Sequence, residues 1–186
     1  SSISNGISKA KNLLISEDVL AAINAVRALG VKVILKNNLC KIHGVGLNGY
    51  EYKKGLIINA QNSGTLGRLI TGLLIDTPIE IKIVGDKSLS NRDFNRIAIP
   101  LSKFGTKFKL KKNIGLPLTI IGSNNLKPIK YFEKKGSAQC KSSVLFAGIK
   151  TEGETFIKAK KSRDHTELLF KHLNLPIKIK RKKNFD

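Results

Sequence analysis

Three stretches of the chain repeat one pattern of apolar and polar positions. Each has apolar residues at helical spacing, then a glycine or asparagine, then a short strand-like run. They cover residues 16–35, 90–110 and 162–180, so the second and third begin 74 and 72 residues after the stretch before. A serine opens each stretch and predicts a helix N-cap. The helix ends are predicted at Gly30, Gly105 and Asn174.

A second repeated pattern precedes the later two stretches. NSGTLGRLITGLL (62–74) and GSAQCKSSVLFAGI (136–149) both place small polar residues before a largely apolar helix of about three turns. Short strands are predicted at 80–85 and 154–159, after these helices. Repetition at this period predicts an array of packed units, each with the order βαβαββ. The units cover approximately residues 1–50, 51–122 and 123–186.

Three copies of a two-helix unit predict an α/β fold with pseudo-threefold packing. We expect a single domain, an inside-out α/β barrel (an α/β prism) with apolar helices at the centre and sheets outside. The first unit is short, because its polar motif precedes the next helix by 14 residues, against 28 and 25 in the later units. We therefore expect it to lack about a dozen residues, the length of its buried helix.

The charge of the chain predicts an anionic partner. Lys and Arg number 34 against 13 Asp and Glu, a formal net charge of +21. Such a charge attracts nucleic acid, membrane surfaces or phosphorylated metabolites, but a general bias towards lysine explains much of it equally well. Arginine binds phosphate and carboxylate through two donors at once, so its few positions are candidate sites. They are Arg27, Arg68, Arg92, Arg96, Arg163 and Arg181.

Other features exclude several classes of protein. No apolar run approaches the length of a membrane span, and the start SSISNGISKAK lacks the pattern of a signal peptide. Two cysteines, Cys40 and Cys140, lie far apart, and Cys40 with His43 is too few ligands for a zinc site. We expect a cytoplasmic protein with reduced thiols, no metal and no cofactor.

Polar residues at predicted helix starts are candidate anion-binding sites. Unpaired backbone N–H groups and the helix dipole attract anions there. The candidates are Ser2 with Asn5, residues 62–65, residues 137–139, Arg163, and Arg92 in the loop before a second helix. Each by itself is more simply a helix cap. Because equivalent helix starts meet at one end of a threefold array, we predict that these sites converge.

Several of these segments resemble the 5-enolpyruvylshikimate-3-phosphate synthase family. The resemblance is carried by LLISEDVLAAINAVRALGV, NSGTLGRLITGLL, GDKSLSNRDFNRIAIPLSKFG, GSAQCKSSVLFAGI and KSRDHTE, in unbroken order. The sister family, UDP-N-acetylglucosamine enolpyruvyl transferase, shares the fold, but KSRDHTE is similar to the shikimate branch. The family has two domains around a cleft, and this chain resembles the first domain only. The resemblance implies an enolpyruvyl transferase that acts on phosphoenolpyruvate and shikimate 3-phosphate.

The resemblance also implies roles for particular residues. Those implied to bind shikimate 3-phosphate are Ser2, Ser137, Ala138, Gln139 and Arg163. Those implied to bind phosphoenolpyruvate are Gly64, Arg92 and Gln139, and a Cβ at Gly64 would crowd that substrate. No catalytic residue is expected in this chain, since the family's second domain supplies those groups.

Four departures from the family pattern affect the expected activity. Ser1 and Gly6 stand where the family has lysine and arginine, and Gln61 replaces a glycine. Asp93 replaces a proline, and its carboxylate is expected to compete for Arg92. We therefore expect an enzyme fragment that is inactive alone, with a second domain or chain needed to complete the cleft. The alternatives are a domain that only binds shikimate 3-phosphate and, less favoured, a nucleic-acid-binding protein.

Overall fold

The computed structural model describes residues 1–181. The first unit contains β1 (Asn5–Ala10), α1 (Glu17–Ala28), β2 (Val33–Lys36) and β3 (Leu39–Val45). The second contains β4 (Ile57–Asn59), α2 (Gly64–Leu73), β5 (Glu80–Val84), α3 (Lys87–Ser90), α4 (Asn95–Ser102), β6 (Lys107–Lys111) and β7 (Gly115–Ile121). The third contains β8 (Lys130–Glu133), α5 (Ala138–Gly148), β9 (Phe156–Ala159) and α6 (His165–His172).

Each sheet draws its strands from a single unit. The orders are β1-β3-β2, β4-β5-β7-β6 and β8-β9. In the second and third units the first two strands are parallel, β4 with β5 and β8 with β9. A parallel pair needs a crossover connection, which α2 and α5 provide. This arrangement places these two helices on the inner faces of their sheets.

The two apolar helices α2 and α5 pack against each other at the centre. Gly72 allows their close approach, because a Cβ there would lie 2.2 Å from the carbonyl oxygen of Ser143. The Ser143 hydroxyl in turn donates to the carbonyl of Arg68 at 2.8 Å. Eight of the ten residues of α2 are buried. The predicted α/β fold, with helices inside and sheets outside, is confirmed.

The predicted helix ends are confirmed more fully than the predicted starts. Gly30, Gly105 and Asn174 have φ values of 83°, 112° and 53°, the left-handed conformation that ends a helix. Ser16 caps α1 through the amide of Val19. The caps predicted at the other two stretches, Ser90 and Ser162, are wrong. Ser90 ends α3, which Asp86 caps, and neither α4 nor α6 has a side-chain cap.

The strand predicted after α6 is also wrong. Residues 175–181 form no strand, whereas the equivalent β6 pairs with β7. The described part of the third unit has no strand in the place of β7, so this segment has no neighbouring strand with which to form a ladder. The basic run at 178–183 extends beyond the described residues.

The first unit lacks a counterpart to α2 and α5. Between Ser1 and Ser16 the described chain forms a turn and then β1, with no helix. The absence of a buried helix from residues 1–16 agrees with the short spacing seen in the sequence, although the sequence did not predict β1. The strand pairs antiparallel with β3, from Asn5 opposite Val45 to Ala10 opposite Cys40.

Candidate functional site

The starts of α2 and α5 lie side by side, joined by the Gln139 side chain. Its amide nitrogen donates to the Thr65 hydroxyl at 2.8 Å, and its amide oxygen accepts from Arg68 Nη1 at 2.6 Å. Ser63 and Ser137 cap the two helices through the amides of Leu66 and Cys140. The predicted convergence of these two helix starts is therefore present in the structure.

Arg92 reaches the start of α2 from the loop between α3 and α4. Its Nη2 donates to Asn62 Oδ1 at 3.2 Å. A Cβ added at Gly64 would lie 3.2 Å from Nη1 of both Arg92 and Arg68. Glycine at position 64 therefore keeps the space beside two guanidinium groups open. Gly64, Arg92 and Gln139, the residues predicted to hold phosphoenolpyruvate, lie in one region through these contacts.

A cavity of ≈ 320 Å³ opens between the start of α5 and the loop before α6. It is lined by Gly136, Ser137, Ala138, Gln139, Ser162 and Arg163. Four of the five residues predicted to hold shikimate 3-phosphate thus share one cavity. Gln139 belongs both to this cavity and to the hydrogen bonds with Thr65 and Arg68.

The cavity offers donors suited to an anion. The first-turn amides of α5, at Ala138 and Gln139, have no partner within the helix. Ser137 Oγ accepts from the Cys140 amide at 3.3 Å, which leaves its hydroxyl hydrogen available to donate. Arg163 is exposed and adds a guanidinium fork. Backbone donors, a hydroxyl and a cation together form a site typical of phosphate binding.

Arg68 was one of the six arginines named as candidate sites, but the sequence analysis gave it no role in binding either substrate. It is 8% exposed, its guanidinium lies 5.3 Å from the Phe94 ring centroid, and its Nε is buried without a hydrogen-bond partner. Burial lowers the pKa of Arg68, and the nearby positive charges of Arg96 and Arg92 act in the same direction. A bound anion would offset that repulsion. The available signal was an arginine within an otherwise apolar helix.

The sequence analysis missed one residue that lines the cavity, Ser162, and one that contacts its lining, Glu133. The Ser162 hydroxyl is buried without a hydrogen-bond partner, although Ser162 had been assigned to a helix cap. Glu133 is 4% exposed and its Oε2 accepts from the Ser137 amide at 2.7 Å. Sequence spacing gave no indication of either contact, because both depend on how the loops before α5 and α6 pack together.

Ser2 lies away from the other predicted site residues. The prediction that it begins a helix is wrong, because residues 1–4 form a turn before β1. Its hydroxyl is 2.9 Å from the Tyr50 hydroxyl, and the Tyr50 ring lies 6.0 Å from Lys150 Nζ. Lys150 donates to the carbonyl of Leu73, the last residue of α2. Ser2 is therefore linked through Tyr50 and Lys150 to the C-terminal end of α2, the helix whose N-terminal end holds the site.

The expected competition of Asp93 for Arg92 is absent. Asp93 Oδ1 accepts from the Asn95 amide at 2.9 Å, while Arg92 donates to Asn62. Gln61, which stands where the family has glycine, has a φ of 51°. This backbone conformation is strained for a residue with a side chain and suits glycine. Gln61 lines a second cavity of ≈ 240 Å³ with Glu17, Asp18, Asn62 and Ser63.

Comparison with known proteins identifies the family. The model of EPSP synthase (3-phosphoshikimate 1-carboxyvinyltransferase) matches residues 1–186. The chain belongs to the EPSP synthase family. The 3-phosphoshikimate 1-carboxyvinyltransferase of Caldicellulosiruptor bescii is 41% identical over 179 residues, which is 95% of this chain and 41% of that protein. The Streptococcus suis protein of the same name is 41% identical over 168 residues, 89% of this chain and 39% of its own length.

Solved EPSP synthase structures have the same fold. A 2.37 Å structure of EPSP synthase from Acinetobacter baumannii superposes with a TM-score of 0.88 at 34% identity, covering 99% of this chain and 41% of that one. The chain thus spans about two fifths of the length of the EPSP synthases it matches.

None of the helices in residues 1–181 combines the length and the apolar character that a membrane span requires.

Proposed function

We propose that this chain binds shikimate 3-phosphate and phosphoenolpyruvate as part of an EPSP synthase. The phosphate of shikimate 3-phosphate occupies the cavity between α5 and α6, held by Ser137, the Ala138 and Gln139 amides, and Arg163. The observation that carries this proposal is the grouping of these residues around one cavity. The buried, unpartnered hydroxyl of Ser162 supports it and adds a further donor.

Phosphoenolpyruvate lies beside the start of α2 in this proposal. Arg92 and Arg68 face the space that Gly64 leaves open, and Gln139 joins this space to the phosphate cavity. Two arginines suit a substrate with both a phosphate and a carboxylate, because each guanidinium can donate two parallel hydrogen bonds. Gln139 then contacts both substrates, as the family resemblance implies.

The reaction proposed for the whole protein is enolpyruvyl transfer. The 5-hydroxyl oxygen of shikimate 3-phosphate bonds to C2 of phosphoenolpyruvate and loses its proton, while C3 of phosphoenolpyruvate gains a proton. Inorganic phosphate then leaves C2 as a proton is lost from C3, which restores the double bond. This chain contributes binding and charge stabilisation by preplaced cations and amides. We assign no acid, base or nucleophile to its residues, and we expect it to be inactive alone. A second domain or chain would complete the cleft.

Calorimetry with shikimate 3-phosphate tests the substrate assignment. We expect binding by the chain, about tenfold weaker binding by R163M, and much weaker binding of shikimate without its phosphate. R27M is the matched control, because Arg27 is at the C-terminal end of α1 and donates to the carbonyl of Val33. Equal affinity of R163M and the wild-type chain for shikimate 3-phosphate would contradict the proposal.

Two further measurements separate the alternatives. Turnover of phosphoenolpyruvate by the chain alone would show that it is more than a binding domain. Binding of duplex DNA that shikimate 3-phosphate does not displace, measured at about 50 and 200 mM salt, would favour the nucleic-acid hypothesis.

A further inference from the structure

Glu133 carries a buried negative charge that contacts Ser137, one of the residues lining the cavity proposed for the phosphate. It is the last residue of β8, it is 4% exposed, and its two carboxylate oxygens accept from different backbone amides. Oε2 accepts from Ser137 at 2.7 Å and Oε1 from Lys135 at 3.2 Å. None of the ion pairs among the described residues includes Glu133. The carboxylate therefore binds the loop that opens α5, with backbone amides in place of a cation.

These hydrogen bonds decide which groups of Ser137 face the cavity. The Ser137 amide is directed at Glu133, and its hydroxyl oxygen accepts from the Cys140 amide. Only the hydroxyl hydrogen of Ser137 remains to donate to an anion. Glu133 thus fixes the orientation of a cavity residue without lining the cavity itself.

The same carboxylate opposes the binding of any anion in that cavity. Its oxygen is separated from the cavity by a single residue, and a buried charge is poorly screened by solvent. A purely structural role needs no charge, since a glutamine side chain has an oxygen that can accept from the Ser137 amide. The carboxylate therefore exerts two opposite effects on the site, one geometric and one electrostatic.

We propose that Glu133 is a positioning residue that orders the loop before α5 and at the same time weakens anion binding through its charge. This rests on the proposed function, because the anion is the phosphate of shikimate 3-phosphate. The charge limits the affinity that Arg163 and the α5 amides would otherwise give. Release of a phosphorylated product is then faster than from a site with cations and amides alone.

Two substitutions separate the geometric effect from the electrostatic one. E133Q keeps the length of the side chain and one acceptor oxygen but removes the charge. E133D keeps the charge but shortens the side chain by one methylene, so it cannot reach both amides. E152Q is the matched control, because Glu152 is an exposed carboxylate beyond the opposite end of α5, a helix about 16 Å long.

The experiment is calorimetric titration of each variant of the 186-residue chain with shikimate 3-phosphate and with inorganic phosphate. We expect E133Q to bind both ligands roughly three- to tenfold more tightly than wild type, E133D to bind them roughly three- to tenfold more weakly, and E152Q to differ by less than about twofold. The gain of E133Q should shrink between about 0.05 and 0.5 M salt. A loss of the structural contact alone would not increase affinity.

The outcomes distinguish this inference from the proposed function. If wild type binds shikimate 3-phosphate but E133Q binds it no more tightly, the role of the charge is overturned and the proposed function stands. If phosphate binding follows the expected order but shikimate 3-phosphate binds no better than phosphate, the inference stands and the substrate assignment fails. If neither ligand binds wild type or E133Q, both are overturned. If E133Q does not fold, E133D tests the positioning role instead. An affinity of E133D for phosphate equal to that of the wild-type chain would overturn that role.

Discussion

Removal of Lys141 should destabilise the protein more than removal of any exposed lysine. Lys141 on α5 forms an ion pair with Glu167 on α6, and the two side chains are only 3% and 7% exposed. Beside this pair, Ser142 and Thr166 form a second contact between the same helices at 2.7 Å. Glu167 Oε2 is buried without a hydrogen-bond partner, so this carboxylate depends on Lys141 for compensation.

The expected cost follows from the buried charge that remains. Breaking a buried pair by removing one partner costs about 3–5 kcal/mol, because the other charge stays desolvated and uncompensated. In a domain of this size each kcal/mol lowers Tm by about 2–4 °C, so K141M should lower it by roughly 6–20 °C. The double variant K141M/E167L removes both charges and should recover most of that loss.

Urea unfolding followed by circular dichroism gives the free energies, because the chain has no tryptophan for fluorescence. The single variants K141M and E167L and the double variant complete a thermodynamic cycle. K53M, at an exposed loop position, is the control and should change stability by less than about 0.5 kcal/mol. A loss of under about 1 kcal/mol in K141M, or a double variant no more stable than K141M, would refute the reasoning.

Three other predictions concern strain, crowding and pH. Q61G relieves the strain of a residue with a φ of 51° and should raise the unfolding free energy by about 0.5 kcal/mol. This figure is the strain removed minus the entropy that glycine adds to the unfolded chain. A lower stability of Q61G in urea unfolding would contradict the prediction. G64A places a Cβ 3.2 Å from two guanidinium groups and should weaken phosphoenolpyruvate binding about tenfold. The binding of shikimate 3-phosphate should be unchanged, and calorimetry with both ligands checks this. Burial raises the pKa of all three tyrosines above the value of about 10 that they have in the unfolded chain, so their contribution to stability is complete below about pH 10 and is lost as pH rises further. Tyrosinate absorbance should therefore appear together with loss of helical circular dichroism. Ionisation of the tyrosines near pH 10 in a protein that stays folded would contradict this prediction. The tyrosines are Tyr50, Tyr52 and Tyr131.

The sequence was sufficient for features that depend on local pattern. Helical spacing predicted α2 and α5, and the serines at 63 and 137 begin them because a hydroxyl satisfies an unpaired helix amide. Gly30, Gly105 and Asn174 were identifiable as helix ends because few residues adopt positive φ at low cost. The repeat period, and with it the α/β architecture, followed from comparing these local signals along the chain.

The same reasoning was wrong where a local signal had more than one use. Serine before an apolar run predicts a cap, yet Ser90 ends a short helix and Ser162 contributes a buried hydroxyl to a cavity. Residues 175–180 have an alternating pattern, but a strand also needs a partner strand to pair with its backbone groups. Ser2 matched a family motif, but its hydroxyl contacts Tyr50, whose ring faces Lys150 at the other end of α2.

The site itself was decided by tertiary structure. Gln139 contacts Thr65 and Arg68 across 74 and 71 residues of sequence, so no local pattern could show that its amide is held on both sides. The role of Glu133 likewise depends on the loop before α5 folding back onto β8. Sequence periodicity fixes which face of each helix is buried, because that face must leave water. Which polar groups then meet at the helix starts is decided only when helices from different units pack together.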